Sequence, residues 1–444
     1  MNFSSDRFSF ISNSFITKKT CLRSIKLLFA FSATSLLICQ NPATVNAALE
    51  NSPKTVVDEV WQIINSEFVD REFNHTDWKF QRRELLQQQY PNQKTAYKAI
   101  RKSLKNLGDP YTRFLNPDEY EDLTSQTSGE LSGIGIRLGV DEKTGKLTIF
   151  EPIPNSPAVK AGLKAGDQII SIDGQSTKLM SLEQASAEIK GEVGTEVELK
   201  ISRKEKPDFD VAVARAQIEL PSVSYTLNQE QDSKVGYIKL DEFSSHAAEQ
   251  MQKAIEDLSS KKASGFILDL RGNPGGLLFS SVEIARMWMQ KGAIVSTIDR
   301  KGGNDEFAAN GKALTDLPLV VLVDGYSASA SEILAGALKE NKRAKVVGSR
   351  TYGKGTVQSV HSLSDGSGLA VTIAQYYPPS GIDINKKGIT PDIRVDLNRK
   401  QQTDLSVNPS LIATEADPKY SRAVAILKDE FLGQVQDIMP ITNP

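Results

Sequence analysis

Apolar residues recur at two different spacings in the first half of the chain. From residue 55 to about 106 they follow a helical spacing, with one face formed by Val56, Val57 and Val60. From about 131 to 215 they fall in short alternating runs that glycine turns interrupt, which predicts a small β-rich module whose strands include 134–140. We therefore expect a helical N-terminal region followed by an inserted β module.

From residue 235 onward, apolar strand-like runs alternate with helical segments. The predicted strands are 235–240, 265–270, 319–323 and 345–347, and the predicted helices are 247–258, 280–289 and 329–340. Such alternation favours an α/β domain in which helices pack on a largely parallel sheet. In these domains, functional groups gather where strands end and helices begin. The fold class expected for the whole chain is multidomain α+β.

The first 47 residues have the pattern of an export signal. A basic stretch precedes an apolar run from Leu27 to Cys39, and small residues follow up to Ala47. This order predicts a secretory signal peptide that is cleaved after residue 47, with an uncleaved anchor as the alternative. No second apolar run of about 18 residues follows, so the mature protein is expected to be soluble and exported.

Composition excludes several kinds of chemistry. The net charge is -2, and no basic excess points to nucleic acid as a partner. Both cysteines, Cys21 and Cys39, lie in the predicted signal. Disulfides, zinc–thiolate sites and cysteine nucleophiles are therefore not expected after cleavage. The zinc-binding pattern HExxH does not occur, and we expect no metal and no cofactor.

A serine-rich segment, residues 327–332, follows an apolar strand directly. It places Ser329 at the start of a predicted helix, where free backbone N–H groups and the positive helix end can stabilise an oxyanion. The alternative is that these serines only cap the helix.

Two glycine-rich segments could complete a catalytic site. Lys354 lies between Gly353 and Gly355, where exclusion of water would favour the neutral amine and make it a general base. The alternative is a solvated lysine in a turn. The loop 269–276 follows a buried strand and could present N–H groups to an oxyanion or a phosphate, or could be a structural turn.

The sequence favours neither a histidine as general base nor a nucleotide-binding site. His75 and His246 are expected at the surface, which leaves His361 as the only plausible histidine base. Residues 348–354 match the first seven positions of a P-loop. However, Gly355 replaces the magnesium-binding Ser or Thr, and a strand follows where a P-loop requires a helix, so nucleotide binding is not expected.

Four segments together resemble the C-terminal processing peptidases, also called tail-specific proteases. They are residues 107–114, 269–276, 327–332 and 352–358. The resemblance implies a serine endopeptidase whose catalytic domain is of the layered crotonase/Clp type. It also implies roles for five residues: Ser329 as nucleophile, Lys354 as general base, Gln358 as the residue that orients the lysine, and the N–H groups of Gly275 and Ala330 as the oxyanion hole.

The β module resembles a PDZ domain. The resemblance implies a loop that binds the C-terminal carboxylate of a peptide, formed by Gly133, Ile134, Gly135 and Ile136. The predicted organisation is a signal peptide (1–47), a helical region (48–128), the PDZ-like domain (129–216), the Ser/Lys protease domain (217–398) and a tail that packs on the core (399–444).

Residues 73–78 look most like the photosynthetic branch of the family. That likeness implies a location in the thylakoid lumen or periplasm and maturation of a photosystem II reaction-centre precursor. The expected partners are protein substrates held by their C-terminal tails, with a monomeric enzyme favoured. Three alternatives remain open at this point: a general periplasmic quality-control protease, a non-catalytic PDZ binding module and a crotonase-like acyl-thioester enzyme.

Overall fold

The structure, a computed structural model, describes residues 52–230 and 233–438, so the predicted signal peptide lies outside the described residues. The helices are α1 (Pro53–Glu67), α2 (Trp78–Gln87), α3 (Gln93–Leu104), α4 (Pro117–Ser128), α5 (Pro157–Lys160), α6 (Leu182–Ile189), α7 (Ala247–Ser260), α8 (Leu278–Trp288), α9 (Ala330–Glu340), α10 (Arg399–Val407) and α11 (Pro418–Ile438). Short 3-10 turns occupy Lys105–Leu107, Thr177–Leu179 and Pro409–Leu411.

The strands of the first half are β1 (Arg113–Leu115), β2 (Glu130–Gly133), β3 (Ile136–Val140), β4 (Leu147–Pro152), β5 (Gln168–Ile172), β6 (Gln175–Ser176), β7 (Glu196–Ser202), β8 (Phe209–Ala214) and β9 (Ala216–Glu219). Those of the second half are β10 (Val223–Glu230), β11 (Ser233–Leu240), β12 (Gly265–Asp269), β13 (Ala293–Asp299), β14 (Asn304–Ala308), β15 (Leu319–Val323), β16 (Lys345–Gly348), β17 (Thr356–Ser362), β18 (Gly368–Tyr377) and β19 (Ile393–Arg394).

The predicted α/β layers form around a six-stranded sheet of order β10-β11-β12-β15-β16-β19. All its pairs are parallel except β10 with β11. Helices α7, α8 and α9 bury apolar residues against one face, and α11 covers the other face. Because β12, β15 and β16 are parallel, the loops that follow them meet at one edge of the sheet. The loop after β12 contains the glycine-rich segment that could bind an oxyanion, the loop after β15 leads to Ser329, and the loop after β16 contains Lys354.

A second sheet of five strands is antiparallel, and the sequence patterns did not predict it. Strand β18 pairs with β17 along one side and with β1 and β13 along the other, and β14 pairs with β13. Helices α1, α2 and α3 share a core with this sheet through Phe114, Leu369 and Val371. The helical region was predicted correctly, but its core is completed by strands far away in the sequence.

The β module has the predicted type, with a six-stranded sheet in which five strands follow the order β3-β4-β5-β7-β8 and β6 pairs with β5, and with the helices α5 and α6. Its core is built around Ile149, Leu199 and Ile201. Strand β3 is the end strand of this sheet and has one free edge. Both connections to the rest of the chain run side by side, because β2 and β9 form a two-stranded antiparallel sheet.

Some predicted boundaries were wrong. The strand expected from residue 134 begins at Ile136, because the chain turns at Gly135, which has a φ of 80°. The helix expected from residue 329 begins at Ala330, and Ser329 is its N-cap. Helix α4 was missed because it has no buried residue and therefore no apolar face to detect.

Candidate active site

Ser329 occupies a sharp turn between β15 and α9. Its φ of 55° and ψ of −114° lie outside the regions that a non-glycine residue normally adopts. Strain of this kind is typical of a nucleophile held at a strand-to-helix elbow. The surrounding structure must hold this conformation, since the local sequence alone would relax it.

The serines on either side of Ser329 anchor the turn. The hydroxyl of Ser327 donates to the carbonyl oxygen of Leu270 at 2.8 Å, and that of Ser331 donates to the carbonyl oxygen of Asn273 at 3.0 Å. Both residues are fully buried, whereas Ser329 is only half-buried and lines a cleft. The outer two serines thus anchor the turn, and only the middle one faces the cleft.

Lys354 lies in the loop between β16 and β17, in the same cleft. Its amine is 5.0 Å from the centre of the Tyr111 ring, and it makes no ion pair within the described residues. Burial lowers the pKa of Lys354, and the positive charge of Arg113 lowers it further. Asp109 and Glu332 act in the opposite direction but do not cancel the effect. The net shift favours the neutral amine that a general base requires.

A buried carboxylate, Glu332, joins the segment that contains Ser329 to the segment that contains Lys354. Its Oε2 accepts the backbone N–H groups of Ser329 and Lys354, both at 2.9 Å. Its Oε1 accepts the N–H of Gly353 at 2.7 Å and the hydroxyl of Thr351 at 2.6 Å. Burial raises the pKa of Glu332, and these four bonds oppose that change. Because all four partners donate, the arrangement suits the ionised form.

The Tyr376 hydroxyl makes a second connection between the two segments. It lies within hydrogen-bond distance of the carbonyl oxygens of Lys354 and of Ser329, the latter at 3.2 Å. Burial raises the pKa of Tyr376, so the phenol keeps its proton as a donor. Sequence reasoning missed this residue, because nothing in its position on β18 shows that it reaches the elbow.

Glu332→Gln is expected to lower kcat about 100-fold and to destabilise the fold by about 1–3 kcal/mol, because an amide nitrogen would face donors that need an acceptor. Steady-state kinetics and thermal unfolding would measure the two effects. Glu283→Gln is the control, since it removes only an exposed pair with Arg286 on α8. Equal kcat values for the two variants would contradict this role of Glu332.

Of the two backbone N–H groups predicted to form the oxyanion hole, only one has no acceptor among the described residues. Ala330 is the first residue of α9, and its N–H has no acceptor among the described residues. The N–H of Gly275 instead donates to Asn273 Oδ1 at 2.8 Å. The next N–H, that of Gly276, has no acceptor in the described chain. A Cβ atom at Gly275 would lie 2.9 Å from Ser329 Cβ and 3.1 Å from Ala330 N, so this loop touches the elbow directly.

One cleft of about 410 Å³ contains all the residues to which sequence analysis assigned a catalytic role. Its lining includes Ser329, Lys354, Gln358, Gly275 and Ala330. No hydrogen bond in the described chain joins Lys354 Nζ to Ser329 Oγ. Such contacts are often long in enzymes without substrate.

Gln358 does not bond to the lysine that it was expected to orient. Its amide donates to the hydroxyls of Thr356, at 2.9 Å, and Thr372, at 3.3 Å. Thr372 in turn donates to Asp109 Oδ2 at 2.6 Å.

The segment 107–114 forms one wall of the cleft. Pro110, Tyr111 and Arg113 line it, while the carboxylate of Asp109 holds the turn through the hydroxyl of Thr112 at 2.6 Å. In the sequence this segment contributed to the resemblance without an assigned role. Its place beside Lys354 depends on the pairing of β1 with β18, which brings together residues about 255 positions apart.

No histidine lines the cleft. His361 lies on β17 but is paired with Glu67 at 2.9 Å, and His246 is paired with Glu130 at the same distance. His75 is exposed, as predicted. In the part of the chain that the structure describes, no group of three or more metal-ligating side chains could hold an ion.

In the β module, the predicted carboxylate-binding loop lies between β2 and β3. The N–H groups of Ile134 and Gly135 donate to no described residue, while the Ile134 carbonyl accepts from Ala158 N–H at 2.9 Å. The free edge of β3 continues from this loop, and helix α6 packs against the same strand. Free N–H groups next to an open strand edge are the features with which such modules capture a peptide terminus.

The layered sheets, the inserted peptide-binding module and the cleft around Ser329 define the class of the protein as a serine peptidase that carries a PDZ domain. A model of peptidase family S41 matches residues 234–395, and a PDZ domain model matches residues 122–202. The carboxyl-terminal-processing protease of Picosynechococcus is 41% identical over 379 residues, which cover 85% of this chain and 90% of that protein. The chain therefore belongs to peptidase family S41, among the carboxyl-terminal-processing proteases.

Other relatives agree with this assignment. The chloroplastic C-terminal processing peptidase of Tetradesmus obliquus is 36% identical and covers 85% of this chain and 84% of its own length. The solved structure of a photosystem II D1 C-terminal processing protease is 36% identical, with a TM-score of 0.51, and the match covers 83% of this chain and 99% of that one. None of the described helices has the length and apolarity needed to cross a membrane.

Proposed function

We propose that this enzyme cleaves proteins near their C-termini with Ser329 as nucleophile and Lys354 as general base. The observation that carries the proposal is that one cleft contains a strained serine and a half-buried lysine that makes no ion pair with any described residue. Neutral Lys354 takes the proton of the Ser329 hydroxyl as Oγ attacks the scissile carbonyl carbon. The resulting ammonium then gives that proton to the leaving amine. Water, deprotonated by the same lysine, attacks the acyl carbon, the bond to Ser329 Oγ breaks, and the lysine returns the proton to Oγ.

The developing oxyanion accepts hydrogen bonds from Ala330 N–H and from the 275–276 segment. Gly275 was the expected donor, and it would have to release Asn273 before it could act. The free N–H of Gly276 is the second candidate in that segment. Donors of this kind contribute the largest part of catalysis in acyl transfer, about 100- to 1,000-fold in rate for each.

The PDZ domain supplies the tail specificity in this proposal. The substrate carboxylate binds the loop of residues 133–136, and the upstream residues extend β3 as an added strand. A non-catalytic PDZ protein does not fit a chain of this enzyme family. The proposed domain limits are those of the sequence analysis, with the β2–β9 pair at the limits of the PDZ domain.

Gly135→Ala is expected to weaken binding of a C-terminal peptide at least about tenfold, because the new Cβ would lie 2.3 Å from Ser156 Cβ and distort the loop. Gly145→Ala is a matched control: its φ of 66° is also positive, but its Cβ would meet nothing within 4 Å. Fluorescence anisotropy with a labelled peptide would measure both. Equal affinities would exclude the loop as the carboxylate site.

For the physiological substrate we propose the C-terminal extension of a photosystem II reaction-centre precursor, in the thylakoid lumen or periplasm. The support is the likeness to the D1-processing protease and to cyanobacterial and chloroplastic relatives. The test is incubation of the purified enzyme with that precursor, followed by mass spectrometry of the products, with Ser329→Ala as the blank. Release of one defined fragment is expected. Equal cleavage of many unrelated unfolded tails would instead support general quality control.

A further inference from the structure

A short segment of the catalytic domain, residues 241–246, contacts both connections to the PDZ domain and also the glycine-rich loop 269–276, which we call the oxyanion loop. It lies between β11 and α7, and we call it the bridging segment. Three contacts of the bridging segment hold the first connection, which follows α4. Ser245 N–H donates to the carbonyl oxygen of Thr127 at 3.0 Å, the Ser245 hydroxyl donates to that of Ser128, and His246 pairs with Glu130.

The second connection, which leads from β9 into β10, is held by the same segment. Asp241 N–H donates to the carbonyl oxygen of Ser222 at 2.9 Å. The hydroxyls of Ser244 and Ser222 are 2.7 Å apart, and both residues are buried. A hydrogen bond between two buried hydroxyls fixes their separation closely, because neither has water as an alternative partner.

Phe243, which lies between Asp241 and Ser244 in the bridging segment, holds the oxyanion loop. Phe243 N–H donates to the carbonyl oxygen of Gly275 at 2.9 Å, and the Phe243 carbonyl accepts Leu277 N–H at 2.7 Å. A Cβ at Gly276 would lie only 2.4 Å from the Phe243 oxygen, so the two backbones are in direct contact. In a trans peptide the C=O and the following N–H point in opposite directions. The bond to Gly275 oxygen therefore turns the Gly276 N–H away from Phe243.

We infer that Phe243 and Ser244 are positioning residues through which the PDZ connections set the geometry of the oxyanion hole. Phe243 orients the Gly275–Gly276 peptide, and the adjacent Ser244 ties that orientation to the second PDZ connection. A displacement of the second connection would therefore move Ser244. The peptide bond between Ser244 and Phe243 would pass that movement to the oxyanion loop. The inference rests on the proposed function, and it adds a route by which the PDZ position acts on the rate of the chemical step.

The test removes the Ser244 hydroxyl with little change of volume. In Ser244→Ala, kcat for a peptide with a free C-terminus is expected to fall about tenfold, a part of the effect of losing one oxyanion donor. The dissociation constant of the same peptide, measured with Ser329→Ala added to prevent cleavage, is expected to stay within about twofold. Ser103→Ala is the control, because that buried hydroxyl bonds to none of the described residues, and the kcat of this variant should equal that of the wild type.

Ser222→Ala removes the same hydrogen bond from the other side, which keeps the inference testable if Ser244→Ala does not fold. The double variant is expected to be no slower than either single one, since both lose one shared interaction. An unchanged kcat in the folded variants, or a loss found only in peptide binding, would overturn the inference. If the wild-type enzyme left the peptide intact, or Ser329→Ala still cut it, the proposed function would fail as well.

Discussion

Ser329→Ala is expected to lower kcat/KM for a tailed peptide by at least about 10,000-fold, because Ser329 is the only serine among the described residues that line the cleft. Binding of the peptide should be retained, since the PDZ loop is not altered. Discontinuous cleavage assays and anisotropy would measure the two effects separately. Loss of binding together with cleavage would point to a structural defect.

The neighbouring serines provide matched controls for this variant. Ser331→Ala removes a buried bond to Asn273 and is expected to cost about 1 kcal/mol of stability. Its activity, measured below its unfolding temperature, should stay far above that of Ser329→Ala. If Ser331→Ala were the inactive variant and Ser329→Ala were active, the nucleophile assignment would be wrong.

Lys354→Arg is expected to abolish cleavage at every pH up to about 10, again by about 10,000-fold, because a guanidinium keeps its proton and cannot act as a base. In the wild-type enzyme the lowered pKa of Lys354 sets the acidic side of the profile. Below that pKa the ammonium form dominates, so kcat/KM should fall tenfold per pH unit as pH decreases. Above it the neutral base dominates, and the rate should level off.

A pH series of kcat/KM for the wild-type enzyme and Lys354→Arg would test this assignment. Lys387→Arg is the control, because that lysine is exposed on a nearby loop and pairs only weakly with Asp383 at 4.0 Å. Its profile should match the wild type. An active Lys354→Arg enzyme, or a wild-type profile that is flat across the acidic range, would rule out the lysine as base.

The parts of the site that could be predicted from the sequence are those whose features lie within a short stretch of chain. Ser329 and Lys354 were identified from short segments, and both line the cleft. The role of Glu332 could not be read in this way, because three of its four donors come from residues 351–354, about 20 positions away. Gln358 lines the cleft, but its bonds go to two threonines and not to the lysine that it was expected to orient.

The sequence by itself indicated the family and the parallel strands, and it singled out Ser329 and Lys354 as the proposed reacting groups. Apolar periodicity and glycine turns over short stretches of chain indicated the strands, whereas four short motifs carried the resemblance to the family. Only the tertiary structure decided which serine is strained, which backbone N–H groups are free and how the PDZ connections meet the oxyanion loop. Each of these depends on hydrogen bonds between distant segments, such as Phe243 with Gly275 and Tyr376 with the elbow. Such bonds leave no local pattern in the sequence, because at least one partner is a backbone group, and every residue has a backbone C=O and every residue except proline a backbone N–H.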